Sequence, residues 1–309
     1  MKKVFIDGKA GTTGLRIYER LADRADITLL TLSEEERKQP ESRKKMLNMA
    51  DIAFLCLPDE AAKEAVAMTE NPDTVIIDTS TAHRTHAQWA YGFPELSAEH
   101  EAALRASKRI AVPGCHASGF IALVYPLIES GYLPKTAKLT CHSLTGYSGG
   151  GKKMIAQYEE GGEALLTAPR QYGLSQTHKH LPEMKAVCGL QTTPIFCPIV
   201  SNFYSGMEVT VPLFSSDLAD GVTVQMIKEL YRQKYNSTIV RYTDEADTDG
   251  LLSAVALGGK DSMQISVFGN EDRILLTARY DNLGKGASGA AIEALNMVLG
   301  TSPTMGLEI

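Results

Sequence analysis

Short apolar runs alternate with helix-patterned segments through the first 114 residues. A glycine-rich loop follows the first of those runs directly, and apolar and polar residues alternate cleanly over 263–267. These observations predict an α/β chain with two parts, a Rossmann-type dinucleotide-binding domain and an α+β domain with a largely antiparallel sheet. The predicted boundaries are 1–114 for the first domain, 115–283 for the second, and 284–309 for a C-terminal helix that returns to the first.

Val4-Phe5-Ile6-Asp7 reads as a buried strand, Gly8 to Gly14 as a loop, and Leu15, Ile17, Tyr18 and Leu21 as the start of an amphipathic helix. Strand, glycine loop and helix in that order suit a pyrophosphate. Glycines let the backbone approach it, and the helix N-terminus offers N–H groups. Gly8, Gly11, Thr12, Thr13 and Gly14 are therefore candidate cofactor residues, although the spacing is GxxGxxG rather than GxGxxG. The second strand, Ile27–Leu32, ends without the acid that a ribose 2′-hydroxyl prefers. Ser33 stands there, with Arg37 and Lys38 just beyond, which suits a 2′-phosphate and so NADP rather than NAD. The rival readings are that Glu34, Glu35 or Glu36 holds the ribose, or that these acids only decorate a helix start.

Two further strands, Ile52–Leu57 and Val75–Asp78, are continuous apolar runs of the kind buried on both faces of a parallel sheet. Their carboxyl ends carry Pro58-Asp59 and the stretch from Asp78 to Arg84, so Pro58 is placed with the cofactor and Ser80 and Arg84 with the substrate. His83 and His86 read as surface residues.

Arg109 to Phe120 is the most informative stretch. Ile110-Ala111-Val112 ends a strand, Pro113-Gly114 turns, and helical spacing resumes from Phe120. Cys115 then sits at a helix N-terminus, where the partial positive charge favours a thiolate, a ready nucleophile. Against this stands the reading of a small residue that fits a tight turn. His178 and His180, ahead of Pro182 and Glu183, are the candidate acid–base partners, and Glu183 is placed beside them towards substrate. Metal ligation by the two histidines lacks a third ligand at a recognisable spacing. Beyond Gly131, a strand over Ala137–Leu144 leads into a second glycine-rich loop, where Ser148 and Gly149 are candidates to line an anion or nicotinamide site. Asp220 is the expected cap of a helix ending at Tyr235. Asn282 and Gly284 open the small-residue helix expected to complete the cofactor site.

The 309 residues carry a net charge of −6 and no basic stripe, which argues against nucleic acid as a partner. No apolar run is long enough to cross a membrane, and the first residues run straight into a strand without a secretory pattern. Five scattered cysteines with no CxxC pair suit a reducing cytoplasm.

Seven segments together resemble the N-acetyl-γ-glutamyl-phosphate reductase family, in its shorter subgroup, within the wider semialdehyde dehydrogenases. They are GKAGTTG, DTSTAHR, YGFPEL, PGCHASGF, TGYSGGGKK, HKHLPEM and DNLGKGASGAA, in order over nearly the whole chain. The resemblance implies a catalytic Cys115, an acid–base histidine in HKHLPE, NADP on the first glycine loop, and an acyl-phosphate substrate with release of phosphate. The same chemistry on aspartyl or aminoadipyl phosphate, and a non-catalytic NADP-binding sensor, are the alternatives. An open antiparallel face in the second domain suggests a homo-oligomer.

Overall fold

The computed structural model describes residues Met1–Ile309. The chain divides into two compact units, residues 1–113 with 287–307, and residues 114–286 with 308–309.

In the first unit the strands are β1 (Lys2–Asp7), β2 (Ile27–Leu30), β3 (Ile52–Leu55), β4 (Val75–Asp78), β5 (Ala90–Tyr91) and β6 (Arg109–Ala111). They form one sheet in the order β2-β1-β3-β4-β6-β5, parallel throughout. The helices between them are α1 (Thr12–Leu21), α2 (Pro40–Met49), α3 (Asp59–Met68) and α4 (Ala98–Ala106). Successive strand residues point to opposite faces, and both faces are covered. Val4, Ile6, Ile52 and Phe54 share a core with Ile17 and Leu21 of α1. Phe5, Ala53 and Leu55 share the other with Leu47 of α2 and Ala62 and Ala65 of α3. The chain leaves β1 for β2 on one side and returns to β3 on the other, so the sheet's switch point lies at the carboxyl ends of β1 and β3. The second and third strands stop two residues short of the sequence expectation, at Leu30 and Leu55.

The second unit opens with α5 (Cys115–Glu129) and continues through β7 (Thr140–Gly146), α6 (Gly151–Glu160), β8 (Arg170–Gln171), α7 (Leu181–Cys188), β9 (Ile195–Ser201) and β10 (Met207–Phe214). Then come α8 (Val224–Lys234), β11 (Val240–Tyr242), β12 (Met263–Gly269) and β13 (Arg273–Tyr280). Its sheet runs β11-β12-β13-β10-β7-β9-β8. The pairings are antiparallel except β11 with β12 and β7 with β9, so the sheet is mixed with an antiparallel centre. β7 begins at Thr140 rather than Ala137, because Ala137 N–H closes a turn on the carbonyl of Pro134. The cap of α8 is Thr223, whose hydroxyl accepts from Met226 N–H. Asp220 is cut off from the helix by Gly221 in the left-handed region, φ +80°. The last helix, α9 (Gly289–Leu299), belongs to the first unit, where Ala291, Ala294 and Leu295 join the core with Val4 and Ile17.

α5 is buried along most of its length and carries Pro126 in its interior. Proline has no N–H for the carbonyl four residues back, at Ala122. Tyr235 O–H donates to that oxygen at 2.7 Å, and Tyr231 O–H donates to the carbonyl of Leu123. Tyr235, at the end of α8, thus satisfies the acceptor the proline exposes, and Tyr231 binds the next carbonyl along.

Candidate active site

The loop after β1 is built for close approach. Gly8 has φ +88°, and a Cβ there would lie 2.2 Å from the carbonyl oxygen of Cys56. A Cβ on Gly14 would lie 2.5 Å from the Gly8 oxygen. Gly11 caps α1, and no side chain caps the N–H groups that follow, from Thr12, Thr13 and Gly14. A cavity of about 500 Å³ opens beside this loop, lined among others by Gly8, Lys9, Tyr18, Arg37, Lys38 and Arg43. Pro58 caps α3.

Ser33 and Glu36 bond reciprocally: Glu36 N–H donates to Ser33 Oγ at 3.2 Å, and Ser33 N–H donates to Glu36 Oε2 at 2.9 Å. The Ser33 N–H and hydroxyl hold the Glu36 carboxyl below its ordinary value. Glu34 pairs with Arg37. Two of the three acids that rivalled the basic pair for the ribose are thus engaged locally. Arg43 escaped the sequence reading. It forks onto the buried Asp7 carboxylate with contacts of 2.8 and 3.0 Å, bringing a third basic side chain to the cavity wall. Lys9 sits 3.1 Å over the Tyr18 ring centroid. The residues present fit a dinucleotide that carries an extra phosphate.

At the strand ends the candidate residues have partners within the protein, and one expectation, that of a surface His83, is corrected. Ser80 is buried, and its N–H and Oγ–H both donate to the Asp78 carboxylate, at 2.9 and 2.7 Å, so it ties its own turn together. His83 is not a surface residue. It is buried, 2.6 Å from Asp78 through Nδ1 and stacked on Trp89 at 4.0 Å, while His86 is exposed. Arg84 donates from Nε to the Val112 carbonyl at 2.8 Å and from Nη2 to that of Thr79 at 3.0 Å, so it braces the backbone at two strand ends.

In the second unit Cys115 is the first residue of α5, directly after the N-cap residue Gly114. Its first turn is held open from two sides. Glu183, buried in α7, accepts from Gly114 N–H at 2.8 Å, so this carboxylate positions the turn that carries Cys115. Tyr280 inserts its hydroxyl into the helix ladder, accepting from Gly119 N–H at 3.0 Å and donating to the Cys115 carbonyl at 2.5 Å. Gly119 makes this possible, since a Cβ there would lie 2.6 Å from the hydroxyl. Gly286 closes over the cysteine, where a Cβ would lie 3.0 Å from that of Cys115. Cys141 and Cys188 are buried, and burial pushes both thiols up, as befits packing residues.

His178 and His180 converge with His116, Tyr172 and Phe196 in one cluster. Ring centroids are 4.7 Å apart for His178–His180 and 5.8 Å for His116–His178. His180 is buried and His178 half-buried. His180 N–H donates to His178 Nδ1 at 3.2 Å, which places the proton of a neutral His178 on Nε2. His116 is buried. Its Nδ1 lies 2.7 Å from Ser143 Oγ and its Nε2 2.5 Å from Tyr172 Oη. Burial first, then the charge of His178, pushes its pKa down to about 3. His116 and Tyr172 were missed by the sequence reading; adjacency to Cys115 was the only available signal for the first, and Tyr172 had none. Ser148 and Asn282 are brought together, with Asn282 Nδ2–H donating to Ser148 Oγ at 3.0 Å and Asn282 Oδ1 accepting from Gly206 N–H at 3.0 Å. Gly149 lies beside them, and Gly284 packs where a Cβ would meet the Lys260 oxygen at 2.0 Å. These four candidates lie in the second unit, apart in the chain division from the Gly8 loop. No group of three or more His, Cys, Asp or Glu is arranged to hold a metal ion.

A parallel sheet with a glycine-rich loop at its switch point, and a second unit that carries a cysteine on a helix N-terminus and a cluster of histidines, are the parts of a thiol-bearing dehydrogenase. Residues 3–104 match the family model described as semialdehyde dehydrogenase, NAD binding domain, and residues 115–282 match semialdehyde dehydrogenase, dimerisation domain. The chain belongs to the semialdehyde dehydrogenase family, among the relatives that bear the name N-acetyl-γ-glutamyl-phosphate reductase. One of these, from Rhizobium rhizogenes, is 45% identical over 305 residues, covering 96% of this chain and 98% of the relative. Another, named N-acetyl-γ-glutamyl-phosphate reductase 2, from Pseudomonas putida, is 42% identical, covering 96% of each. Among solved structures, aspartate semialdehyde dehydrogenase II complexed with ASA from Vibrio cholerae is similar in fold, with TM-score 0.73 at 16% identity, covering 97% of this chain and 98% of that one. No helix is long and apolar enough to cross a membrane.

Proposed function

We propose that this protein reduces N-acetyl-γ-glutamyl phosphate to the semialdehyde with NADPH, releasing phosphate, as a step of arginine biosynthesis. The observation that carries the reading is the placement of Cys115 on a helix N-terminus in the same unit as the His178–His180 pair, in a chain 45% identical over nearly its full length to a relative of that name.

Cys115 attacks the acyl carbon. The new carbon–sulfur bond forms as the bond to phosphate breaks, leaving a thioester. N–H groups of the first turn of α5 face the developing oxyanion. NADPH, when bound, supplies hydride to the thioester carbonyl. The tetrahedral oxyanion then collapses to aldehyde and expels the Cys115 thiolate. We assign to His178 Nε2–H the hydrogen bond that stabilises the departing phosphate oxygen, because Nδ1 is occupied as an acceptor. His180, buried at the start of α7, positions that ring. Gly8, Gly11 and the N–H groups of Thr12, Thr13 and Gly14 are the residues that would hold the pyrophosphate of NADP, with Arg37, Lys38 and Arg43 at the 2′-phosphate.

A free thiol mechanism suits the reducing cytoplasm, where we place the protein. We also place a contact between two copies of the chain on the sheet of the second unit. α5 and α8 cover one face of that sheet, and the other exposes Ile195, Phe214 and Leu275. The matched family model for this unit carries dimerisation in its description.

The test is phosphate-dependent formation of NADPH from N-acetylglutamate semialdehyde, with aspartate semialdehyde in parallel. The reading requires the N-acetylated aldehyde to have the higher kcat/KM. Preference for aspartate semialdehyde contradicts it.

A further inference from the structure

Asp7 is the last residue of β1, buried, and directly followed by Gly8 of the glycine loop. Phe5 and Asp7 point to the same face of the strand, and Arg43 and Leu47, four residues apart, share a face of α2. Phe5 and Leu47 pack in one core, and one helical turn away Arg43 meets Asp7. The Asp7 carboxylate accepts from Arg43 Nε–H at 3.0 Å and from Nη2–H at 2.8 Å. Those two donors form one edge of the planar guanidinium. The other edge, Nη1 with the second Nη2 hydrogen, takes no part in the pair, and an arginine binds phosphate bidentately through such an edge. Both residues line the cavity beside the glycine loop. Asp7 and Glu34 are the carboxylates on its wall, and each is paired with an arginine, Asp7 with Arg43 and Glu34 with Arg37. A ribose with a free 2′-hydroxyl thus meets no uncommitted carboxylate there, the group that would accept its proton.

We propose that Asp7 is a specificity-determining residue for the cofactor, which occupies one edge of Arg43 and so fixes the other edge for a 2′-phosphate. The proposal rests on the reading that this cavity takes the adenosine end of NADP. Asp7 acts through Arg43 and is a positioning residue. A guanidinium held in advance loses less side-chain freedom when phosphate arrives, and a lysine ammonium offers no second planar edge. Lys38 shares the cavity wall as a point charge, and Lys9 sits over the Tyr18 ring. Through space the Asp7 charge opposes a phosphate, whereas through Arg43 it helps to bind one. The two effects have opposite signs, so experiment separates them.

The test is calorimetric titration of the full-length protein with adenosine 2′,5′-bisphosphate and with 5′-AMP, which differ only in the 2′-phosphate. Arg43→Lys keeps the charge and loses the second edge. It is expected to weaken bisphosphate binding about tenfold and to leave 5′-AMP unchanged. Asp7→Asn keeps the shape and releases Arg43, and is expected to weaken bisphosphate binding about fivefold, again with 5′-AMP unchanged. Binding of 5′-AMP at the parent affinity also shows that the cavity of each variant is folded. The double variant is expected to bind the bisphosphate no more weakly than Arg43→Lys alone, because Asp7 works through Arg43. Tighter or unchanged bisphosphate binding in Asp7→Asn, an equal loss for both nucleotides, or additive losses in the double variant overturns the proposal. In that case a parent that prefers the bisphosphate leaves the NADP reading standing on Arg37 and Lys38. A parent that binds the two nucleotides equally overturns the NADP reading and this proposal with it.

Discussion

At the scale of single residues, the two histidines of the HKHLPE segment have different surroundings and should fail differently. His178 is half-buried with Nδ1 occupied, and His180 is buried at the helix start. His178→Asn is expected to lower kcat on the order of a hundredfold or more and to remove one limb of the pH–rate profile. His180→Asn should mainly raise KM. Retention of the parent profile and kcat by both variants would move the proton donor elsewhere. His116 gives a separate stability prediction. Its folded pKa, about 3, lies below the ordinary histidine value near 6.5, so the unfolded chain binds the extra proton first as pH falls. This site's contribution is fully present above about pH 6.5. It is lost as pH drops towards the folded value, at up to ~1.4 kcal/mol per pH unit. His116→Gln should therefore flatten the acid side of a urea-midpoint profile between pH 6.5 and 4, and equal slopes in the two proteins would contradict the neutral, buried assignment.

At the scale of elements, the cofactor preference belongs to the short turn after β2. Arg37 and Lys38 lie in a 3-10 turn over Glu36–Lys38, and Arg43 follows on α2. Arg37→Ala with Lys38→Ala should cut the ratio of NADP to NAD affinity on the order of tenfold, read by equilibrium binding of the oxidised cofactors. A parent protein that binds both equally would sink the 2′-phosphate assignment. This region also shows how far periodicity carries. The strand and glycine loop were legible because buried parallel strands are continuous apolar runs and a tight strand-to-helix turn needs glycine at Gly8 and Gly14. Arg43 was not legible: its partner Asp7 lies 36 residues earlier, and nothing local distinguishes it from Lys44 or Lys45. His83 was misread for the same reason, since its burial depends on Asp78 and Trp89 closing a turn that composition alone reads as polar. The bonds of Ser80 to Asp78 and of Glu183 to Gly114 N–H were not legible either, because they exist only once the chain is folded.

At the scale of the whole molecule, the two parts of the sequence pattern became two compact units with different sheets, one wholly parallel and one mixed. Exposed Ile195, Phe214 and Leu275 on the second sheet are the side chains a copy of the chain would cover. Phe214→Asp with Leu275→Lys should shift sedimentation from dimer to monomer at micromolar concentration. A parent protein that sediments as a monomer would remove the proposed contact.

The central claim is that Cys115 carries the acyl group. The direct measurement is mass spectrometry of the protein quenched in acid after mixing with N-acetyl-γ-glutamyl phosphate in the absence of NADPH. The account predicts an N-acetylglutamyl adduct on the peptide containing Cys115, its disappearance when NADPH is added before the quench, and no adduct in Cys115→Ser. Turnover without an adduct, or an adduct on a different residue, would contradict it.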